Sequence, residues 1–171
     1  MRLFYAIFPP RQVQKALEEA QGKVQGFKGW KPSPPHQLHI TLLFLGEQPE
    51  ERLTEFRRVG QEVAASVPAF AVQLGGTGYF PASGSPRVWF VKATGEGLEP
   101  LARGLRVALP DIKTKEPFHA HLTLARKKSP APRMGPLVLG LEFMAKAVCL
   151  VESRLERSGS RYRVLDQFPL G

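Results

Sequence analysis

The 171-residue chain contains no asparagine, one cysteine and only two aspartates, and it has no long apolar run. A single thiol, Cys149, excludes an intrachain disulfide, so nothing points to an oxidising compartment. Its neighbours Ala147, Val148, Leu150 and Val151 are apolar and mark it as a small core residue. The missing asparagine fits a heat-adapted composition, in which labile amides are fewer. Without a run of about 20 apolar residues, no membrane-spanning helix is expected. Residues 1–8 run into Pro9 and Pro10 and are too short for a secretory core, so the expected location is the cytoplasm. The two aspartates, Asp111 and Asp166, lie outside the histidine-containing words described below.

Basic residues are abundant. Twenty-four Lys and Arg against fifteen Asp and Glu give a formal charge of +9. That excess favours a polyanionic partner, and nucleic acid is the commonest one. A hydrophobic content of 43% supports a substantial core, and sixteen glycines with sixteen prolines imply many turns without low complexity. The length suits one domain or two small lobes.

One four-residue word, His-apolar-Thr-apolar, occurs twice: His39-Ile40-Thr41-Leu42 and His121-Leu122-Thr123-Leu124. Both copies alternate with the period of a strand that has one buried face. His39 and Thr41 therefore share one face, and Leu38, Ile40 and Leu42 the other. With six threonines in the chain, two such words arise by chance on the order of 1 time in 100. An imidazole titrates near neutrality and serves as acid or base, and a hydroxyl beside it donates to an anion or orients the ring. Two such pairs across a cleft suit a reaction in which one proton is given and another taken.

The remaining pattern places these words in a repeat. Residues 2–8 read as a strand, and Pro9-Pro10 starts a helix whose apolar face is Val13, Ala16, Leu17, Ala20 and Val24, ended by Gly26 and Gly29. A proline-rich connector, 30–36, leads into the first His-Thr strand, 37–45. A helix over about 50–66 follows, then a strand at Phe70, Val72 and Leu74 that ends in a turn at 75–78. Beyond a loop at 81–86 the order recurs: strand 88–91, a helix marked by Leu98, Leu101, Leu105 and Leu109, a connector, and the second His-Thr strand, 118–126. Leu3 to His39 spans 36 residues and Val88 to His121 spans 33. This spacing predicts a duplication, with a first repeat over about 2–80 and a second over about 87–168, inside one bilobal domain, 1–171. The tail, about 141–152 and 161–168, reads as a hairpin around Ser158-Gly159-Ser160.

These residues resemble the two-histidine phosphoesterase superfamily, and within it the RNA 2′,3′-cyclic phosphodiesterases, also called 2′-5′ RNA ligases. Both words carry the resemblance, with support from Phe4-Tyr5-Ala6-Ile7, Leu43-Phe44-Leu45-Gly46, residues 70–80 and residues 87–91. Ala120 stands where many relatives have proline. The resemblance implies an α+β fold, bilobal and duplicated about a pseudo-twofold, with two antiparallel sheets flanking a central cleft and helices outside. It implies metal-free, cofactor-free opening of a terminal RNA 2′,3′-cyclic phosphate to a 2′-phosphomonoester, with reverse 2′-5′ ligation. By the same resemblance His39 matches the proton donor, His121 the proton acceptor, Thr41 and Thr123 the phosphate contacts, and Arg126 a basic residue at the phosphate. An RNA end with a cyclic phosphate is the expected partner, tRNA fragments among them, and the expected state is a monomer.

Other residues carry other readings. His39, His119 and His121 supply three candidate zinc ligands for a metal hydrolase. The positive charge also suits a non-catalytic RNA-binding module. Lys127 and Lys128 extend a basic cluster near Arg126, and Trp30, Phe8 and Trp89 offer rings for packing or for a base.

Overall fold

Five consecutive buried residues, Leu3 to Ile7, make the first strand a central one, covered on both faces. A computed structural model of the chain describes residues 1–23 and 28–171. In it β1 (Arg2–Ile7) is flanked by β3 (Ile40–Glu47) and β8 (Ala147–Glu156), both antiparallel to it. β9 (Gly159–Pro169) pairs with β8 at the edge. A second set is built around β5 (Val88–Thr94), which lies between β4 (Phe70–Phe80) and β6 (His121–Lys127). β7 (Val138–Ala145) extends it beyond β4, and the short β2 (Trp30–Pro32) pairs with β6.

The path β7-β4-β5-β6-β3-β1-β8-β9 reads alike outward from the β6–β3 junction: β5 matches β1, β4 matches β8 and β7 matches β9. Each set borrows a strand from the other half of the sequence. β4, from the first half, pairs with β5, and β8, from the second, pairs with β1. The junction itself is one residue pair, Ile40 opposite Leu122.

Among the described residues three α-helices cover the sheet. α1 (Arg11–Gly22) buries Val13, Leu17, Ala20 and Gln21, one face at helical spacing, and packs against β6 and β7. α2 (Leu53–Ala65) packs on β8 and β9, and α3 (Leu98–Ala108) on α2 and β3. Gln21 is buried yet satisfied, because its side-chain amide donates to the carbonyls of Ser33 (2.7 Å) and Leu124 (2.8 Å). That bond pair ties α1 to the connector and to the strand that carries the second word.

Several sequence expectations are corrected. Helix α1 ends at Gly22, and the predicted contributions of Val24 and Gly26 lie outside the described residues. Gly29 does not end the helix. It adopts φ 98° in the turn before β2, where a Cβ would stand 2.6 Å from the carbonyl oxygen of Pro130. The connector holds a strand of its own, β2, and a 3₁₀ turn, Pro35–Gln37, so the first His-Thr strand begins at Ile40 rather than at 37. The glycine run 75–78 is no turn: β4 continues through it to Phe80 with a register shift after Leu74. The predicted strand 141–152 is two strands separated at Lys146, one pairing with β4 and the other with β1. Apolar residues on both sides of Lys146 conceal the switch of partner.

Candidate active site

Ile40 and Leu122, the middle apolar residues of the two words, are both fully buried and oppose each other at the junction of the two strand sets. With these two facing inward, His39, Thr41, His121 and Thr123 emerge together on the other face. The antiparallel sense brings His39 towards Thr123 and Thr41 towards His121. All four line one cleft of about 460 Å³, and Arg126 lines it with them.

Each word is followed by a bulge that reverses the alternation. On β3, Thr41 pairs with Ala6 and Leu43 with Tyr5, so Leu42 and Leu43 are both buried and Phe44 comes out on the cleft side. On β6, Thr123 pairs with Phe90 and Ala125 with Trp89, so Leu124 and Ala125 are both buried and Arg126 comes out. Phe44 and Arg126 each stand five residues after the histidine of their word and occupy matching places.

Both imidazoles are held in one tautomer. His39 Nδ1 lies 2.6 Å from the carbonyl oxygen of Gln37, and His121 Nδ1 lies 2.6 Å from that of His119. A carbonyl only accepts, so each Nδ1 carries the hydrogen and donates it, leaving each Nε2 free for proton exchange. The surroundings of the two Nε2 atoms differ. His39 Nε2 is 2.9 Å from the Thr41 hydroxyl, which donates to the neutral ring. Among the described residues no hydrogen bond joins His121 to Thr123.

Aromatic rings frame both histidines. Phe4, Tyr162 and Phe8 lie 5.0, 5.4 and 5.6 Å from His39, centroid to centroid. Phe80 and Phe90, stacked at 4.2 Å, lie 5.0 and 5.4 Å from His121. Burial against these walls pushes the His39 imidazolium down to about 4. The Gln37 carbonyl opposes this, and the charges of Arg126 and His121 add to it. His121 is lowered for the same first reason, with the His119 carbonyl opposing and the charges of His119 and Arg126 contributing.

The other sequence candidates fall elsewhere. His119 is exposed, packs on Phe80 and Phe90, and does not line the cleft. Among the described residues no three His, Cys, Asp or Glu side chains converge as a metal site requires, so the set His39, His119 and His121 is not assembled. Trp89 is fully buried, and Trp30 is buried with its indole N–H donating to the Pro132 carbonyl at 2.9 Å, so neither offers a face to a base. Lys127 turns to the Ser85 hydroxyl. Cys149 is a buried free thiol that burial pushes up to about 11.

Sequence reasoning missed much of the cleft: Arg2, Gln37, Phe44, Ser153, Ser160 and Tyr162 all line it. Ser153, Ser160 and Tyr162 come from the β8–β9 hairpin, more than a hundred residues from His39, and no local pattern marks them. A signal for Phe44 existed in its place five residues after His39, the same step that separates Arg126 from His121.

Known proteins share this fold. Residues 9–156 match the model of the 2′-5′ RNA ligase superfamily. The chain is 50% identical to the RNA 2′,3′-cyclic phosphodiesterase of Thermus thermophilus over 99% of its own length and 90% of that protein's. It is 35% identical to the one of Archaeoglobus fulgidus, over 81% and 79%. A Thermus thermophilus crystal structure at 50% identity superposes with a TM-score of 0.95, covering 99% of this chain and 98% of that one. E. coli LigT complexed with 3′-AMP superposes with a TM-score of 0.85 at 27% identity, over 99% and 97%. No described helix is long and apolar enough to cross a membrane. By the extent of that match, and with both words meeting at the Ile40–Leu122 junction, the chain belongs to the 2′-5′ RNA ligase superfamily.

Proposed function

We propose that this enzyme opens the terminal 2′,3′-cyclic phosphate of RNA to a 2′-phosphomonoester, with His39 as proton donor and His121 as proton acceptor. Relatives at 50% and 35% identity bear the name RNA 2′,3′-cyclic phosphodiesterase. The observation that carries the mechanism is the convergence of both His-Thr pairs and Arg126 on one cleft. Water is a weak nucleophile and an alkoxide a poor leaving group, so each needs a proton transfer. His121 Nε2 takes the proton of the attacking water as the new P–O bond forms. The P–O3′ bond breaks, and His39 Nε2 delivers its proton to the departing 3′-oxygen. Each transfer contributes typically ~10²–10⁴-fold. Thr41, Thr123 and Arg126 meet the charge on the non-bridging oxygens. The reverse reaction, with a 5′-hydroxyl in place of water, exchanges the two roles and makes a 2′-5′ bond.

The donor role needs a proton that the free enzyme withholds, since burial holds His39 neutral near pH 7. The substrate's phosphate restores it, because an anion beside an imidazole favours the charged form. No residue in this sequence of steps requires a metal or a cofactor.

We place the duplication at about 2–80 and 87–168 within one bilobal domain, the working unit in a single chain, and the reaction in the cytoplasm on fragments such as cleaved tRNA. The duplication reading is supported by the matching strand order and matching bulges on the two sides of the junction.

The test is a short RNA ending in a 2′,3′-cyclic phosphate, incubated with the protein in EDTA, with the product identified. A 2′-phosphate made by wild type and lost in His39→Ala and His121→Ala is expected. A 3′-phosphate product would reverse the choice of leaving oxygen. RNA binding without turnover would favour a non-catalytic module, and activity lost to EDTA and restored by zinc would favour a metal hydrolase.

A further inference from the structure

The cleft is lopsided. Among the described residues, His121, Thr123 and Arg126 alone line it from the β4–β5–β6–β7 side, and its remaining wall comes from the β3–β1–β8–β9 set and the connector. A substrate whose cyclic phosphate sits at the two words therefore extends its nucleoside over β1 and β3. That path leads past Phe44, which is 61% exposed, to Arg2.

Among the described residues, Arg2 and Arg126 are the arginines that line the cleft, and no lysine joins them. Arg126 belongs to the histidine end, where its charge bears on both His39 and His121. Arg2 stands at the other end. It is four residues from Ala6 on β1, about 13 Å along an extended strand, and Ala6 is the residue that pairs with Thr41. Arg2 is exposed, and among the described residues it has no carboxylate partner, whereas the nearby Glu47 is taken by the N-terminal ammonium at 3.3 Å. The second set offers no counterpart: four residues before Phe90, which pairs with Thr123 as Ala6 pairs with Thr41, stands Pro86, and its neighbour Arg87 does not line the cleft. A free guanidinium at the open end of an otherwise uncharged, partly apolar wall suits a second phosphate one nucleoside away from the first.

We infer that Arg2 binds the internal phosphodiester on the 5′ side of the reacting nucleotide, so that the enzyme favours oligonucleotide ends over free nucleoside 2′,3′-cyclic phosphates. The inference rests on the cyclic phosphodiesterase reading of the cleft. It makes Arg2 a specificity residue for chain length, separate from the groups at the reacting phosphorus.

The experiment compares two substrates, a dinucleotide ending in a 2′,3′-cyclic phosphate and the matching nucleoside 2′,3′-cyclic monophosphate. Wild type is expected to prefer the dinucleotide by about tenfold in kcat/KM, as one charge-assisted contact allows. Arg2→Ala brings the ratio close to one, and Arg2→Lys keeps part of it, since a point charge pairs with phosphate without the planar fork. Arg161→Ala, which removes an exposed arginine paired with Glu156 outside the cleft, leaves the ratio as in wild type. The preference also weakens with added salt in wild type and less so in Arg2→Ala. A wild-type ratio of one, a ratio preserved in Arg2→Ala, or an equal loss on both substrates overturns the inference. If wild type turns over neither substrate, the reading of the site fails and takes this inference with it.

Discussion

Ile40 and Leu122 oppose each other across the seam where β3 meets β6, and each is the apolar residue enclosed between a histidine and a threonine. One buried contact thus sets the distance between two His-Thr words that lie 82 residues apart, from His39 to His121. Leu122→Ala removes a fully buried side chain from this contact. It is expected to destabilise the fold by about 2–4 kcal/mol, the usual range for such a truncation. Because the pair also aims His121 and Thr123, kcat should fall well beyond what partial unfolding explains. Activity measured at a temperature where the variant is fully folded by circular dichroism separates the two effects. Wild-type kcat there would show that the seam holds the fold without setting the chemistry.

The depressed pKa values predict different pH profiles for the free and the loaded enzyme. In the free enzyme His39 titrates at about 4 and His121 below its ordinary value, so the pH profile of kcat/KM is a bell lying on the acid side of neutrality. Bound phosphate raises His39, and its deprotonation then forms the alkaline limb of kcat. That limb should therefore lie at higher pH than the alkaline limb of kcat/KM. Profiles from pH 3 to 9 on one substrate check this, and superimposable curves would count against a proton donor that depends on substrate for its charge.

The same shift makes a prediction about stability. An imidazole whose folded pKa is lowered binds fewer protons folded than unfolded between about 4 and the ordinary value of 6.5. Its contribution to stability is complete above that window and is lost as pH falls through it. Replacing His39 with Gln, which cannot charge, should flatten the acid side of the stability curve. The difference is on the order of 2 kcal/mol, discounted for the part of the ring that water reaches. Urea unfolding at pH 7 and pH 4.5 for both proteins measures it, and parallel losses would place the acid sensitivity elsewhere.

The two threonines should not behave alike. Thr41 donates to His39 Nε2 at 2.9 Å and so competes with the proton that a donor must carry, whereas Thr123 makes no such bond among the described residues. Thr41→Val is expected to raise the pKa of His39, as followed by imidazole NMR, while lowering kcat about tenfold through loss of the proposed phosphate contact. Thr123→Val is expected to lower kcat similarly with little change in the His121 titration. Thr→Ser at either place restores most of the rate, because the hydroxyl returns. Equal NMR shifts in both valine variants would remove the asymmetry.

Much of this site was legible before any fold was known. Alternation in each word correctly separates His39 and Thr41 from Leu38, Ile40 and Leu42, because a strand with one buried face obeys a period of two. Alternation also misleads beyond the words: counting in twos from Thr41 selects Leu43 and Leu45, and both are buried. The bulges that bring out Phe44 and Arg126 depend on pairing with β1 and β5, which no local pattern records. Resemblance supplied Arg126, and nothing in the sequence supplied Tyr162. The tail failed for a related reason, since residues on both sides of Lys146 are apolar for different partners. Propensity reports that a residue is buried, and only long-range pairing decides against what.

Gly60 offers a test of the packing that supports the cleft from behind. It lies on the buried face of α2, and a Cβ placed there would run into the Phe168 ring. Phe168 is itself buried on β9, the strand that presents Ser160 and Tyr162 to the cleft at its other end. Gly60→Ala gains helix propensity, worth somewhat under about 1 kcal/mol. Against that stands overpacking of a rigid ring held between α2 and the sheet, typically about 1–3 kcal/mol. The clash prevails because an aromatic ring cannot shorten, and moving it requires α2 or β9 to shift. The expected outcome is a lower melting temperature with kcat nearly unchanged, since the strain falls eight residues from Ser160. A rise in melting temperature would mean that the helix slides freely over β9, and that the close approach of Gly60 to Phe168 is not required by the fold.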